Sequence, residues 1–314
     1  MRFKLAILLC MGLAATGCKK TGTGGGGGGG GGWLVGRDAL MQNIASDDSL
    51  GKGYDLGATE TLYGIACRYQ GEAWVVGAHG SLLYTDDAGA TWVAQTVPTA
   101  ADLHTLATQD NGPVYVAGDG VFLTTTDTGK TWTSIGDSAI NYRSLAAAQE
   151  GDTVLTLSDD GRLFSYANGA LTQRGTFAGG HALAISPDGQ SVLLVGNGIH
   201  RSSDGGVTWT DLTVDPSINF EDVRIGEDGS GVAVGAGGAI AKIDVSGQVL
   251  VQHVGSADLH ALHIADVDAY DSTGYAVGQG GQVLITHDGG WTWAVGPNVG
   301  RDVFGVDEIG FGHR

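Results

Sequence analysis

Residues 202–209 read Ser-Ser-Asp-Gly-Gly-Val-Thr-Trp, and the chain contains three further versions of this stretch, at 85–92, 125–132 and 286–293. The four copies share the pattern Ser/Thr-x-Asp-x-Gly-x-Thr-Trp. An Asp and a Gly before a β-branched residue and a tryptophan are typical of a tight hairpin turn, because the carboxylate accepts turn N–H groups and the glycine adopts positive φ. The tryptophan then opens the next strand with a large apolar surface. We assign a structural role to the conserved pattern positions Asp87, Trp92, Asp127, Trp132, Asp204, Trp209, Asp288 and Trp293.

A second landmark, an apolar run that closes on a small residue, recurs along the whole chain. The seven closing residues are separated by 41, 41, 40, 38, 39 and 43 positions. They are Gly36, Gly77, Gly118, Ser158, Gly196, Gly235 and Gly278. A repeat of about 40 residues with four strand signals is typical of a β-propeller blade. Continuous apolar runs also fit strands that neighbouring blades cover on both faces. The sequence therefore predicts an all-β, seven-bladed β-propeller, in which the outermost strand of the unit 103–135 begins at Trp132.

The two ends of the chain predict how the ring of blades closes. Residues 302–308, Asp-Val-Phe-Gly-Val-Asp-Glu, look like an innermost strand that lacks the rest of its blade. Residues 33–36 look like a second strand that lacks its first. We therefore predict that the N-terminal and C-terminal strands pair within one blade, because this closure removes the open sheet edges.

The composition restricts the class of partner. The 314 residues include 34 Asp and Glu but only 16 Lys and Arg, a formal net charge of −18, whereas nucleic-acid binding requires a basic face. The same charge repels anionic lipid headgroups, so membrane attachment needs an anchor. Cys67 lies on a predicted strand as a buried thiol, and without a second cysteine in the body no intramolecular disulfide is expected. Metal-binding sequence motifs are absent, so we predict neither a metal nor a cofactor.

The N-terminus resembles the export signal of bacterial lipoproteins. The basic segment Met1–Lys4 precedes the apolar run Leu5–Ala15, which is too short to span a bilayer. The run ends in Ala-Thr-Gly-Cys, which puts Cys18 where that family carries its acylated cysteine. An ordinary secretory signal with a chance cysteine gives the same pattern, and this alternative stays open.

These features divide the chain into three parts. Residues 1–17 are the signal peptide, residues 18–32 are the lipidated Cys18 and a glycine tether, and residues 33–314 are the propeller. A glycine-rich tether of this length reaches roughly 20 Å as a random coil. We therefore expect a protein of the cell envelope that contacts the lipid bilayer through Cys18, either on the periplasmic face of a membrane or in the outer membrane.

The repeated turn resembles the Asp-box, or BNR repeat, of sialidases, sortilin-type receptors and the photosystem II assembly/stability factor family. Blades such as Gly274–Trp293, GYAVGQGGQVLITHDGGWTW, and the wrap-around closure look most like the last family, over residues 33–314. That resemblance implies a non-enzymatic propeller that docks on membrane protein subunits during assembly. It leads us to expect a scaffold or assembly factor whose partners are envelope or membrane proteins.

One constellation of residues is a candidate for partner binding. When the seven innermost strands are aligned on their central apolar residue, the position two residues earlier is polar or aromatic in every unit. Alternation along a strand puts this position on the side of the apolar residue, at one mouth of the central channel. The column between the two positions is mostly small, as close strand packing requires. The candidate ring consists of Tyr63, His104, Arg143, His181, Glu221, His260 and Phe304.

Two interpretations of the ring stay open: a surface that receives a ligand or peptide segment, and a wet channel entrance of the kind any propeller has. Its three histidines suggest a metal, but their blades are too far apart to share one ion. The alternative function is a sialidase-like, exo-acting glycoside hydrolase, which needs two acids about 5–10 Å apart. The ring supplies only Glu221, with Asp222 and Asp307 on neighbouring columns, and we assign no catalytic residue. Because decayed copies of the turn motif coexist with complete ones, we expect function at the mouth opposite to it.

Overall fold

The computed structural model describes residues 32–54, 60–68, 71–212 and 214–308. Its strands form seven antiparallel, four-stranded sheets. The innermost strand of each sheet packs against the innermost strands of the two adjacent sheets, and the contact between the strands at 303–308 and 62–68 completes the circle. The sheets are therefore the blades of a propeller, and the predicted all-β, seven-bladed architecture is confirmed.

Blades are numbered in chain order, and the four strands of a blade are called A to D from the channel outwards. Blade 1 contains β28 (Val303–Glu308), β1 (Gly32–Gly36), β2 (Leu40–Ile44) and β3 (Leu50–Gly53). Blade 2 contains β4 (Leu62–Arg68), β5 (Glu72–Gly77), β6 (Leu82–Thr85) and β7 (Val93–Ala94). Blade 3 contains β8 (Leu103–Thr108), β9 (Val114–Gly118), β10 (Val121–Thr125) and β11 (Thr133–Ser134).

The remaining blades follow the same order. Blade 4 contains β12 (Tyr142–Ala147), β13 (Val154–Ser158), β14 (Arg162–Ala167) and β15 (Ala170–Thr176). Blade 5 contains β16 (Gly180–Ile185), β17 (Val192–Gly196), β18 (Ile199–Ser202) and β19 (Thr210–Leu212). Blade 6 contains β20 (Phe220–Ile225), β21 (Gly231–Gly235), β22 (Ala239–Ile243) and β23 (Val249–His253). Blade 7 contains β24 (Leu259–Ile264), β25 (Gly274–Gly278), β26 (Val283–Thr286) and β27 (Ala294–Val295).

Blade 1 joins the two ends of the chain. β1 pairs antiparallel with β28, from Gly32 opposite Glu308 to Gly36 opposite Val303, and it pairs with β2 on its other side. The predicted pairing of N-terminal and C-terminal strands within one blade is confirmed. The first strand starts one residue earlier than expected, and the predicted signal peptide, Cys18 and most of the tether lie outside the described residues.

The B strands form the core of the blades because sheets on both sides cover them. β13 and β17, for example, are buried at every residue, whereas the D strand β7 is exposed. This burial is the reason why the B strands read as continuous apolar runs. Cys67 on β4 is buried, as the sequence predicted, and it is a free thiol.

Every A strand begins with a β-bulge. In blade 3, Leu103 lies opposite Gly118 and Thr105 lies opposite Ala117, so His104 is the extra residue between them. The same register shift leaves out the second residue of the A strand in all six other blades. A bulge interrupts the two-residue alternation of side chains and re-aims the extra one. We placed the seven ring residues on one side of their strands by assuming a two-residue alternation of side chains. The bulge breaks this alternation, so that step of the prediction is wrong.

The bulge explains why each apolar run closes on a small residue. The N–H group that follows Gly118, that of Asp119, donates to the carbonyl oxygen of Asp102 at 3.0 Å, just before the A strand. A Cβ at Gly118 would overlap that same oxygen, and the equivalent overlap occurs at the five other closing glycines. Blade 4 is the exception, because Ser158 occupies this position.

Acidic side chains connect neighbouring A strands, which do not pair with one another in a sheet. Asp307 Oδ2 in blade 1 accepts the N–H group of Cys67 in blade 2 at 2.9 Å. Asp222 Oδ2 in blade 6 accepts the N–H group of Leu262 in blade 7 at 2.8 Å. These contacts supply partners for backbone groups at strand edges that face the channel.

The aspartate of each complete Asp-box closes its turn. Asp204 Oδ1 accepts the Ser202 hydroxyl and the Thr208 N–H group, both at 2.8 Å, and Asp204 Oδ2 accepts the Thr208 hydroxyl at 2.6 Å. The Ser202 hydroxyl in turn accepts the N–H group of Gly206 at 2.9 Å. The boxes of Asp87, Asp127 and Asp288 repeat this set of contacts.

The Asp-box tryptophans lie one residue before the D strands, so the expected start of a strand at Trp132 is wrong by one position. The four indoles are only half-buried, and they pack sideways onto neighbouring blades. Trp209 contacts Phe177 with ring centroids 4.9 Å apart, and Trp92 contacts Trp33 at 5.8 Å. The indoles therefore connect adjacent blades in addition to closing hairpins.

The incomplete copies close their turns with related chemistry. Asn168 and Gly169 both have positive φ, and Ala167 pairs with Ala170 across them, which is a two-residue hairpin turn. Asp244 Oδ1 still accepts the N–H group of Gln248 at 2.9 Å. A turn can thus lose the full motif without losing its hairpin.

The Asp-boxes share one face of the propeller with the loops that join A strands to B strands. The N–H group of Ala88 in the first box donates to Gly71 in such a loop at 2.9 Å, and Gly205 donates to Gln190 at 2.8 Å. We call this the Asp-box face. The opposite face, where the A strands begin, carries the ring of bulged residues.

We expect a pH-dependent contribution of Asp204 to stability. The Thr208 hydroxyl, the Thr208 N–H group and the Ser202 hydroxyl hold the pKa of Asp204 at about 2, below its ordinary value of 3.8. A depressed folded pKa gives stability that is present above the unfolded pKa and is lost as the pH falls through the folded one. Asp204→Asn should therefore lower the Tm by a few degrees at pH 6, and this difference should shrink between about pH 4 and pH 2. Thermal melts across this range measure it, with Asp211→Asn on the exposed strand of the same hairpin as the control; a constant difference would contradict the assignment.

We expect a side chain at a closing glycine to destabilise the fold. An alanine at Gly196 would overlap the carbonyl oxygen of Gly179, whereas an alanine at Gly198, two residues further on, meets only His200 Nε2 at 3.9 Å. Forcing a methyl group against backbone costs about 1–3 kcal/mol, and an unhindered surface change about 0.5 kcal/mol or less. Urea unfolding should therefore separate Gly196→Ala from Gly198→Ala, and equal midpoints for the two variants would refute the steric explanation.

Candidate functional site

The seven predicted ring residues all occupy the second position of an A strand, and each is the extra residue of its bulge. The structure brings them together at one mouth of the channel. Contacts between non-adjacent blades prove this convergence, since Arg143 in blade 4 reaches Glu221 in blade 6. The predicted ring thus exists as a set of neighbours.

One side of the ring is aromatic. The ring of His260 in blade 7 lies 5.8 Å from that of Phe304 in blade 1, measured between centroids. Phe304 lies 6.3 Å from Tyr63 in blade 2, and Tyr63 lies 5.1 Å from His104 in blade 3. Four consecutive blades therefore contribute one continuous row of rings.

The other side of the ring is charged and internally paired. Glu221 Oε2 lies 3.1 Å from His181 Nδ1 and 3.8 Å from an Arg143 Nη. The amide of Asn219 donates to Glu221 Oε1 at 2.7 Å. Three neighbours therefore contact this carboxylate. Two of them, Arg143 and His181, come from blades 4 and 5, so the group spans three blades at the channel mouth.

Most side chains of the ring pack against one another across the channel mouth, so little of their surface is exposed. His104, Arg143, His181, Glu221 and Phe304 are each 8% exposed or less. Tyr63 and His260 are half-buried, and burial lowers the pKa of His260. A partner can thus contact the outer surface of a packed ring, chiefly through Tyr63 and His260. That this surface binds a partner stays a prediction.

Carboxylates surround the ring and connect it to its neighbours. Asp119 Oδ1 lies 2.9 Å from His104 Nε2, and the Tyr63 hydroxyl donates to Asp102 Oδ2 at 3.4 Å. Asp102 also accepts the N–H group of His79 in the preceding blade at 2.8 Å. The polar rim is therefore part of the blade-to-blade connections.

The two acids nearest to Glu221 in the sequence prediction, Asp222 and Asp307, are buried and bind other groups of the protein. Asp222 is fully buried on its A strand, and burial raises its pKa to about 7 while it accepts two backbone N–H groups. Asp307 is also fully buried, and its Oδ1 lies 2.7 Å from His263 Nδ1. Burial opposes ionisation of Asp307, but the neighbouring His263 outweighs it and the pKa is lowered. Neither carboxylate points to a substrate-accessible mouth.

A large cavity opens on the Asp-box face, where the sequence predicted no site. It measures about 1150 Å³ and lies among the A–B loops, between the C-terminal ends of the A strands. Its lining carries eight carboxylates and a single arginine, Arg224. The signal in the sequence was the acid content of these loops, in segments such as 149–152 and 266–271.

Three further features concern metal binding, membrane spans and lipidation. In the described part of the chain, no three His, Cys, Asp or Glu side chains form a group that could hold a metal ion. Over the same ranges, no helix has the length and hydropathy to cross a membrane. The lipidation site predicted at Cys18 lies outside the described residues.

Comparison with known proteins agrees with the resemblance predicted from the Asp-boxes. The family described as "Photosynthesis system II assembly factor YCF48" matches residues 44–140, a little under a third of the chain. No curated protein matches the sequence.

Solved structures share the fold at low sequence identity. "YCF48 bound to D1 peptide" is 16% identical with a TM-score of 0.64, over 90% of this chain and 89% of that chain. YCF48 from Cyanidioschyzon merolae is 18% identical with a TM-score of 0.60, over 77% and 87%. Virginiamycin B lyase from Staphylococcus aureus is 14% identical with a TM-score of 0.64, over 76% and 84%. The similar structures therefore include an enzyme as well as an assembly factor.

Proposed function

We propose that this chain is a non-enzymatic, membrane-tethered propeller of the bacterial cell envelope that binds a segment of a partner protein and acts as a scaffold or assembly factor. The observation that carries the proposal is the ring at the channel mouth. Seven bulges bring an aromatic row and a charged group into one surface. Such a combination suits apolar and polar contacts with a polypeptide.

Two findings support protein binding over catalysis. A structure with the same fold is described as YCF48 bound to D1 peptide, so a peptide ligand is compatible with this architecture. In this chain Glu221, Asp222 and Asp307 contact other protein groups, and a glycoside hydrolase would need two acids free for its substrate. The similarity to virginiamycin B lyase, at 14% identity, concerns the fold.

The position of the first strand indicates at which face of the propeller the tether is attached. Gly32 pairs with Glu308, and a Cβ at Gly32 would contact the ring of Tyr275; both Glu308 and Tyr275 line the cavity of the Asp-box face. The chain therefore enters the propeller on that face. With Cys18 acylated, the glycine tether joins the membrane to that face and leaves the ring mouth at the other end of the A strands.

Replacing ring residues should strongly weaken capture of the partner. His104→Ala, Arg143→Ala and His260→Ala together remove two of the four rings of the aromatic row and the arginine of the charged group. Quantitative affinity purification from envelope fractions should show a partner whose yield falls about tenfold in this variant, as the loss of a few central interface contacts gives. The control is Gln173→Ala with Arg174→Ala on the outer strand β15. Unchanged yield in a ring variant that melts like the parent protein would sink the assignment; Tyr63→Ser alone serves if the triple variant fails to fold.

The tether gives a separate prediction. Cys18→Ser removes the acyl acceptor, so the protein should move from the membrane pellet to the soluble fraction on cell fractionation, because the acidic propeller has no affinity of its own for anionic lipid. Cys67→Ser is the matched control, since that thiol is buried in the propeller. Retention of Cys18→Ser in the pellet would contradict lipid anchoring and leave the ring prediction unaffected.

A further inference from the structure

We propose that the outermost strand of blade 6, β23 (Val249–His253), pairs with the same strand of a second copy of this chain. β23 is the last strand of its sheet, so no other strand of the described part of the chain pairs with its outer edge. This edge lies on the circumference of the propeller, away from the ring at the channel mouth. The inference therefore does not depend on what the ring binds.

The complete Asp-boxes keep the outer edges of their blades short. The D strands of blades 2, 3, 5 and 7, which follow these boxes, have only two or three residues. In blades 1, 4 and 6, which lack a complete box, the D strands have four, seven and five residues. A short edge strand offers few backbone groups to another chain, whereas a longer one needs some other protection against pairing.

Of the three longer edges, only that of blade 6 lacks a feature that opposes pairing. β3 carries Lys52 between two glycines, and a lysine on an edge strand disfavours the addition of another strand. β15 contains a β-bulge with Arg174 as its extra residue, so it is both irregular and charged. β23 pairs with β22 at five successive positions without a shift, and it contains no charged residue, proline or glycine. Its edge is therefore regular and uncharged.

The backbone of β23 points alternately to the sheet and to the outer edge. The N–H group of Val254 donates to the carbonyl oxygen of Gly238, and that of Asp244 donates to the carbonyl oxygen of Gln248, both at 2.9 Å. These bonds fix the phase of the ladder, because in an antiparallel pair only every second residue bonds to a given neighbour. The residues between them direct their N–H and C=O groups outwards. They are Val249, Val251 and His253.

Side-chain contacts hold this edge in place. Val249 and Val251 pack against the apolar cluster between blades 5 and 6, and the Gln252 amide donates to the carbonyl oxygen of Trp291 in blade 7 at 3.2 Å. Leu250, on the opposite side of the strand from the valines, is 63% exposed. Because the strand is already ordered by its neighbours, the addition of another strand costs less conformational entropy than it would at a free segment.

A second copy of β23 fits this edge because the strand is complementary to itself. When Val251 lies opposite the same residue of the second copy, Val249 lies opposite His253, so all outward-facing residues of one strand meet those of the other. A two-fold axis relates the two strands, and the pairing occupies both edges, so association ends at a dimer.

The absence of charge on β23 also favours a second copy as the partner. In this register Leu250 lies opposite Gln252, and no like charges face each other across the pair. A chain with a net charge of −18 repels its own copy over most of its surface. The uncharged strand is therefore a place where two copies can approach.

The dimer is weak, and its detection requires a range of protein concentrations. A pair of five-residue strands buries less than the roughly 1,600 Å² of a standard interface, so we expect a dissociation constant of about 10–100 μM. Sedimentation of the full chain carrying Cys18→Ser, so that no acyl group contributes, measures the association. The sedimentation coefficient should rise with concentration from that of a monomer towards that of a dimer.

A matched pair of variants separates the strand from the rest of the surface. Leu250→Lys places two like charges at diagonal positions about 7–8 Å apart in the dimer and should weaken association about tenfold. Val93→Lys makes the same change of charge on the D strand of blade 2, where the side chain is 61% exposed, and should change the association by less than about twofold. Both positions are exposed, so both variants should melt like the parent protein. Equal weakening by the two would contradict the assignment.

Peptides test the backbone pairing without a change to the protein. A peptide with the sequence of residues 247–255 is made in two forms, each with three N-methyl groups. One form carries them on the three outward-facing residues and so cannot donate to the edge of β23. The other carries them on Gln248, Leu250 and Gln252, which leaves the pairing edge intact. Only the second form should dissociate the dimer.

Several results would overturn the proposal: a chain that stays monomeric at every concentration, assemblies larger than a dimer, or equal competition by both peptides. Binding of the second peptide to a chain that does not dimerise would also overturn it, and would assign the edge to a strand of another protein. The ring variant of the preceding subsection should dimerise like the parent protein, so failure of this proposal and failure of the ring assignment are distinguishable.

Discussion

The structure depends on one constraint: seven A strands converge on a channel without pairing with one another. Their facing edges carry backbone groups that the sheets leave unsatisfied. Small residues at the third position let the strands approach, and acceptors such as Ser144, Asp222 and Asp307 reach N–H groups of the next strand. The bulge and the glycine beside it follow from the same crowding, because the chain enters each A strand against the end of its B strand. The ring at the mouth is therefore a result of how the blades meet.

The sequence predicted the features that recur, and it failed where a position has no counterpart in other blades. The period and the closing glycines predicted seven blades, and the lone strands at the two ends predicted the closure. The ring residues were identified correctly as neighbours but for an incorrect reason, since alternation cannot anticipate a bulge. The outermost strand of blade 3 starts at Thr133, one residue later than predicted, because the carboxylate of the Asp-box extends the turn through Trp132. The cavity was not predicted at all: it arises from loops of six blades, which differ in length and have no common pattern.

The two faces of the propeller use charge in different ways. At the ring, Glu221 is paired with His181 and Arg143, so its charge is satisfied within the protein. On the Asp-box face, eight carboxylates and one arginine line the cavity, and a hydrogen bond to Asp268 raises the pKa of Asp266 to about 6. A fold that also occurs in a lyase does not determine which face is used. The side chains do: the ring holds one glutamate beside an arginine and a histidine, whereas acids predominate in the lining of the cavity.

The closure of blade 1 also determines how the propeller bears mechanical load. β1 is not an edge strand; it lies between β28 and β2 and is hydrogen-bonded to both. A pull on the chain before Gly32 runs roughly along the strand, so it loads both ladders in shear instead of opening one bond after another. The strand that receives the force is bonded on one side to the last strand of the chain, and through it the pull passes to the ring of A strands. A pull on this end of the chain therefore meets two hydrogen-bonded ladders at once, one to the neighbouring strand and one to the last strand of the chain.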